Sequence, residues 1–141
     1  MAEAYSHIAC CIDGSPASDA ALAAAIRMHA LGPGRLTLVH VLEAGSSYTG
    51  FPSEDLADEG ARARAWLQQM LALAPGSEGV ILEGHAATVI PDWAGGAGVD
   101  LLIAVRHHGR AERLLLGGFT QHIVYHSPCA VLLVHPRSPQ G

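Results

Sequence analysis

The loop after the fourth apolar run contains the residues best suited to binding an anion. Residues 105–118 read VRHHGRAERLLLGG and lie between the apolar run DLLIA and a segment typical of a helix. A strand, a glycine-bearing loop and a helix start often form a phosphate site, because backbone N–H groups there point at the anion. The loop also contains Arg106, Arg110 and Arg113, whose guanidinium groups can bind phosphate with two hydrogen bonds. The chain has no lysine, which excludes a Walker-type P-loop.

The histidines form no recognisable catalytic or metal-binding pattern. His107 and His108 are adjacent in the loop, where such pairs are more often solvated than functional. His122 and His126 are four residues apart on a predicted helix and share one face, but two ligands alone do not define a metal site. We therefore expect no metal. The nucleophile motif G-x-S-x-G is also absent, which favours binding over catalysis.

The composition indicates one folded domain, residues 1–141, in which residues 136–141 form a short C-terminal tail. Half of the residues are apolar and 15% are charged, which is typical of a globular protein. The formal net charge is −5 and no basic run occurs, so we expect neither nucleic acid nor a membrane surface as a partner. No signal peptide or membrane span is expected. The three cysteines, Cys10, Cys11 and Cys129, lack a disulfide-framework spacing and are interpreted as reduced thiols, which predicts a cytoplasmic location.

Apolar runs alternate with helical segments along the whole chain. The predicted strands are residues 7–13, 36–42, 80–83, 100–105 and 130–135, and the predicted helices are residues 19–32, 54–74, 86–98 and 119–126. This alternation predicts an α/β domain with a parallel sheet covered by helices on both faces. Ligands of such sheets bind at the carboxyl ends of the strands, where the strand order reverses. Asp13 and the loop after Val105 both lie at such ends, although Asp13 before Gly14 is also typical of a simple turn.

Several segments together resemble the universal stress protein family. They are CIDGSPASDAALAAAIRMHA, LTLVHVLE, DLLIAV, RLLLGG and HSPCAVLLV, in this order and at this spacing. The resemblance implies a single Rossmann-like three-layer domain with a five-stranded parallel sheet in the order 3-2-1-4-5. It also implies a homodimer that forms through the last strand, Ala130 to Val134.

Some members of this family bind ATP or AMP through a motif G-x2-G-x9-G-(S/T) after the fourth strand. By resemblance, Asp13 is the acidic residue that contacts the nucleoside, and the backbone of Val41 lies near adenine. Gly117 matches the third glycine of the motif, and Gly118 replaces the serine or threonine.

The first two glycines of the motif are not both present in any register. Aligning HGR with the family's usual sequence places Arg106 and Gly109 there, and the loop is then two residues short. Glycine is favoured at such positions because its backbone N–H approaches a phosphate without a Cβ in the way. Arg106 and Arg110 are the candidates to replace this lost contact by charge.

The sequence therefore predicts a binding and regulatory domain that acts in stress adaptation. In the first reading the chain is a dimeric interaction module with an altered or lost nucleotide pocket and an unknown protein partner. In the alternative reading it is an ATP- or AMP-binding stress sensor or a weak ATPase.

Overall fold

The computed structural model describes residues 5–43, 53–106 and 118–136, with only the backbone described for residues 53–57. Some sequence predictions fall between these ranges and lie outside the described residues. They concern His107, His108, Gly109, Arg110, Arg113, the apolar residues 114–116, and Gly117.

The described residues form a single parallel sheet with helices between its strands. In chain order the elements are β1 (His7–Cys11), α1 (Ser18–His29), β2 (Arg35–Leu42), α2 (Ser53–Leu73), β3 (Glu78–Glu83), α3 (Ala86–Ala97), β4 (Leu101–Val105), α4 (Gly118–His126) and β5 (Ala130–Val134). The strand order is β3-β2-β1-β4-β5, and all four neighbouring pairs are parallel. The predicted fold class and strand order are confirmed. No helix in the described ranges is long and apolar enough to cross a membrane.

The core consists of two apolar clusters, one on each face of the sheet. Cys10 and Leu38 belong to the cluster packed against α1 and α2, whereas Val39 belongs to the cluster packed against α3 and α4. Cys11 packs against the second cluster, so the two adjacent cysteines point to opposite faces, as the alternation of a strand requires. Burial on both faces explains why the strands read as continuous apolar runs.

The structure extends β3 two residues beyond the predicted start, because Glu78 already pairs with Thr37 of β2. Gly79 permits this extension. A Cβ at that position would lie 2.8 Å from Cδ2 of Leu67, so only glycine lets α2 approach the strand this closely. The contact joins residues distant in sequence, and local propensity does not reveal it.

Two helices have features that sequence propensity does not predict. The sequence predicted a first helix over residues 19–32, whereas α1 ends at His29; its N-cap is Ala17, which makes no side-chain capping bond, although Ser15 Oγ accepts a hydrogen bond from the N–H of Ser18 at 3.3 Å. Pro91 lies inside the predicted helix 86–98, where proline usually kinks or breaks a helix, yet α3 is continuous from Ala86 to Ala97. Pro91 is buried, and packing against the sheet offsets the backbone hydrogen bond that proline cannot make.

A polar cluster joins the amino-terminal end of the sheet. His7 is buried, and its Nδ1 and Nε2 lie 3.1 Å from Ala97 O and 2.7 Å from Thr37 Oγ1. The carboxylate of Asp100 accepts hydrogen bonds from the backbone N–H groups of Ser6 and His7, both at 2.9 Å. Desolvation acts to raise the pKa of Asp100, but these hydrogen bonds outweigh it and lower the pKa below its ordinary value.

Candidate functional site

A cleft of about 360 Å³ opens at the carboxyl ends of β1, β2 and β4. This volume is in the range of small-molecule sites. The cleft is lined by Cys11, Ile12, Asp13, Val39, His40, Val41, Glu43, Ala86, Ile90, Ala104, Val105 and Phe119. The strand order reverses between β1 and β4, so the cleft occupies the position at which open α/β sheets bind ligands.

Asp13 is both a turn residue and a lining residue of this cleft. Its Oδ1 accepts hydrogen bonds from the backbone N–H of Ser15 at 2.9 Å and from Ser15 Oγ at 2.7 Å. Gly14 has a φ of +84°, a conformation that glycine adopts without strain. The two interpretations of Asp13 that the sequence left open are therefore compatible, because the same turn holds the carboxylate at the cleft.

His40 connects the cleft to the interior of the domain. Its Nδ1 lies 3.0 Å from the carbonyl oxygen of Ile12, and its ring makes an edge contact with Trp66, with centroids 4.9 Å apart. A histidine inside a strand is expected to have hydrogen-bonded ring nitrogens, and Nδ1 of His40 meets this expectation. Its place in the lining of the cleft was not predicted.

The amino-terminal end of α3 meets the cleft at Glu43. Glu43 Oε2 accepts the backbone N–H of Ala86 at 3.2 Å, and Oε1 lies 3.8 Å from His85 Nδ1. The first helical N–H of α3 thus bonds a carboxylate of the protein itself. Asp13 and Glu43 supply the carboxylates of the described lining, which contains no arginine.

Cys11 lines the cleft as a protonated thiol. Burial raises the pKa of Cys11 to about 12, and the negative charge of the nearby Asp13 acts in the same direction. Burial likewise raises the pKa of Cys10 well above its ordinary value. Since the thiolate is the reactive form, neither cysteine is suited to nucleophilic chemistry near neutral pH.

The structure brings together two of the predicted site residues, Asp13 and Val41, and both line the cleft. Arg106 follows β4, its backbone N–H bonds the carbonyl of Val134 at 2.9 Å, and it is not part of the described lining. Gly118 is the first residue of α4 and is exposed. A Cβ built on Gly118 meets no atom within 4 Å. Gly109, Arg110 and Gly117 lie outside the described residues.

The two helical histidines stand side by side on α4. The ring centroids of His122 and His126 are 4.2 Å apart, as their four-residue spacing predicts. Within the described ranges, no three histidine, cysteine, aspartate or glutamate side chains are grouped so that they could hold a metal ion.

The sequence profile of the universal stress protein family matches residues 4–135 of this chain. The chain belongs to the universal stress protein family. A Thermus aquaticus relative, named "Universal stress protein in QAH/OAS sulfhydrylase 3'region", is 34% identical over an alignment of 105 residues that covers 71% of this chain and 77% of that protein. The resemblance inferred from sequence segments is thereby confirmed.

Solved structures show the same fold as this universal stress protein. One is a universal stress protein in complex with cAMP; it is 23% identical, covers 95% of this chain and 99% of its own, and has a TM-score of 0.71. Another is the universal stress protein from Archaeoglobus fulgidus in complex with dAMP, with 17% identity, coverage of 93% and 98%, and a TM-score of 0.65.

Sequence reasoning found the strand-end residues of this universal stress protein but missed much of the cleft wall. Glu43, Ile90 and Phe119 come from three different parts of the chain, and no spacing connects them. One signal was available for Glu43, because it directly follows β2 and the carboxyl ends of parallel strands share one edge of the sheet. Ile90 and Phe119 are ordinary apolar helix residues, and only the packing of α3 and α4 places them at the cleft.

Proposed function

We propose that this protein is a cytoplasmic regulator of stress adaptation whose cleft binds the adenosine part of an adenine nucleotide. One observation carries the proposal: Asp13 and Val41, which the resemblance assigns to the nucleoside, line the same cleft at the reversal of strand order. The complexes of related folds with cAMP and dAMP support an adenine compound as the ligand class.

The lining of the cleft suits a nucleoside. Val39, Val41, Ile90 and Phe119 provide apolar surface on which a purine can pack. The carboxylate of Asp13 can accept hydrogen bonds from ribose hydroxyl groups, which are donors. Apolar walls with a few polar side chains, here Asp13, His40 and Glu43, are typical of small-ligand sites.

The phosphate end of the proposed site is altered. Gly118 offers no hydroxyl where the family motif has serine or threonine, and the backbone N–H of Arg106 already bonds Val134. We infer that Arg106 and Arg110 hold the phosphates by charge rather than through backbone N–H groups. Binding of ATP should then weaken with salt, because exposed charges are screened within about 8–10 Å at physiological ionic strength.

Titration calorimetry with adenosine, AMP and ATP at low and high salt tests the proposal. We expect all three ligands to bind, and we expect high salt to lower the affinity for ATP more than the affinity for adenosine. Asp13→Asn keeps an oxygen for the Ser15 turn but removes the charge, so it should weaken all three by about tenfold or more. Arg110→Ala should lower the affinity for ATP and leave the affinity for adenosine unchanged. If no adenine compound binds, the proposed function is wrong.

The alternative function, a weak ATPase, differs from binding without turnover in that it forms a measurable product. It predicts release of inorganic phosphate from ATP at a rate that falls in the Asp13→Asn variant. We favour binding without turnover, because the sequence contains no recognisable catalytic motif.

We further propose that the protein acts as a homodimer and engages a protein partner through that dimer. β5 lies at the edge of the sheet, with β4 as its neighbour, and residues 131–134 are only half-buried in the isolated chain. An apolar edge strand favours pairing with another strand, and a second copy supplies one. Sedimentation or light scattering on the full chain measures the assembly directly.

A further inference from the structure

The imidazole of His40 ties β2 to the residue that follows β1. β1 ends at Cys11, and the backbone N–H of Ile12 bonds the carbonyl of Val39 at 2.9 Å. The carbonyl of Ile12 is held by His40 Nδ1 at 3.0 Å. Both backbone groups of Ile12 are therefore anchored to β2, and Asp13 is the next residue.

We propose that His40 is a positioning residue for the candidate nucleoside site and acts by fixing the corner from which Asp13 enters the cleft. This inference rests on the proposed function and names a residue outside the family motif. A ligand-binding carboxylate is effective only if its backbone is held before the ligand arrives, since ordering it on binding costs affinity.

The contact also determines the proton position on the ring. A carbonyl oxygen only accepts hydrogen bonds, so Nδ1 of His40 must carry the proton and donate it to Ile12. Nε2 is then the acceptor nitrogen of the neutral ring. The structure thus predicts one tautomer, and the wild-type protein can be examined for it.

Trp66 of α2 contacts His40 and reaches the turn that follows Asp13. The ring of His40 meets Trp66 edge-on, with 4.9 Å between centroids and 65° between planes. A Cβ on Gly14 would lie 3.8 Å from Trp66, so the indole also reaches the turn after Asp13. His40 is held between the strand end and the indole, which limits its rotation.

Two substitutions separate the hydrogen bond from the bulk of the ring. His40→Phe keeps an aromatic ring for Trp66 but loses the donor, and we expect adenosine to bind about three- to tenfold more weakly. His40→Asn places an amide nitrogen near the position of Nδ1 and should recover most of that loss. In an Asp13→Ala background His40→Phe should change the affinity by less than about twofold, because the two residues act through one contact.

Two measurements without ligand complete the test. Nitrogen-15 NMR of the wild-type imidazole should show the proton on Nδ1, and hydrogen exchange at Asp13 and Gly14 should be faster in His40→Phe. The inference is overturned if the proton resides on Nε2, if His40→Phe binds adenosine as tightly as wild type, or if its effect persists fully without Asp13. If wild type binds no adenosine, the proposed function fails, whereas the NMR result still decides whether His40 holds Ile12.

Discussion

Thr120 has a buried hydroxyl without a hydrogen-bond partner among the described residues. Its side chain is 1% exposed, and its Oγ1 makes no hydrogen bond to any residue that the structure describes. A buried polar group in this condition costs about 1–3 kcal/mol. Thr120→Val replaces the hydroxyl by a methyl group of nearly equal size, and the two residues have similar helix propensities. We therefore expect the free energy of unfolding to rise by about 1–3 kcal/mol, and the melting temperature by about 3–9 °C.

Thr37 provides the matched control. It is 2% exposed, but its hydroxyl lies 2.7 Å from Nε2 of buried His7. Thr37→Val leaves that nitrogen without its partner, so the same substitution should here lower stability by about 1–3 kcal/mol. Urea unfolding followed by far-UV circular dichroism measures both variants. If Thr120→Val is destabilising, the hydroxyl of Thr120 has a partner in solution and the reasoning fails. If Thr37→Val is stabilising, the hydrogen bond to His7 does not contribute to stability and the control fails.

Four further predictions address other parts of the molecule. Gly118→Ser should increase the affinity for ATP about two- to tenfold, because it adds a hydroxyl at a position where a Cβ meets no atom within 4 Å. The affinity for adenosine should not change, and Gly118→Ala is the control in calorimetry. Asp100 has a lowered pKa, so its stabilising effect is present above the unfolded value of about 4 and is lost as the pH falls through the folded value; Asp100→Asn should flatten that loss in acid unfolding. Leu133→Lys should give a monomer in light scattering, and a monomeric wild type would contradict the β5 dimer. Cys10 and Cys11 should resist a thiol reagent in the native state, and rapid labelling detected by mass spectrometry would contradict their raised pKa values.

The sequence predicted the sheet because its information is local and repeated. Five apolar runs separated by helical segments determine a parallel sheet, and the resemblance supplies the order of its strands. The predicted start of β3 was wrong because it depends on a distant contact, the packing of α2 over Gly79. The predicted range of α3 agrees with the structure within one residue, and the helix continues through Pro91, which is buried.

The candidate site likewise contains residues that the sequence predicted and residues that it could not predict. Asp13 was found because it follows a strand, and Val41 because the resemblance aligns it. Ile90 and Phe119 reach the cleft only because α3 and α4 pack on the sheet, whereas Glu43 lies there because it directly follows β2. His40 was interpreted as a bonded strand histidine, but its partner, the carbonyl of Ile12, depends on the register of β1 and β2.

The two ends of the proposed site would bind their parts of the ligand by different physical means. The nucleoside end is built from strand termini whose backbone groups are anchored, as the contacts of Ile12 with Val39 and His40 show. At the phosphate end Gly118 offers no hydroxyl, and we propose that arginine side chains, rather than fixed N–H groups, bind the phosphates there. A phosphate end that acts by charge should bind ATP more tightly than AMP at low salt, because ATP carries more negative charge, and high salt should reduce that preference. Titration calorimetry with AMP and ATP at two salt concentrations measures the preference, and a preference for ATP that does not change with salt would show that fixed N–H groups, rather than arginine charge, bind the phosphates.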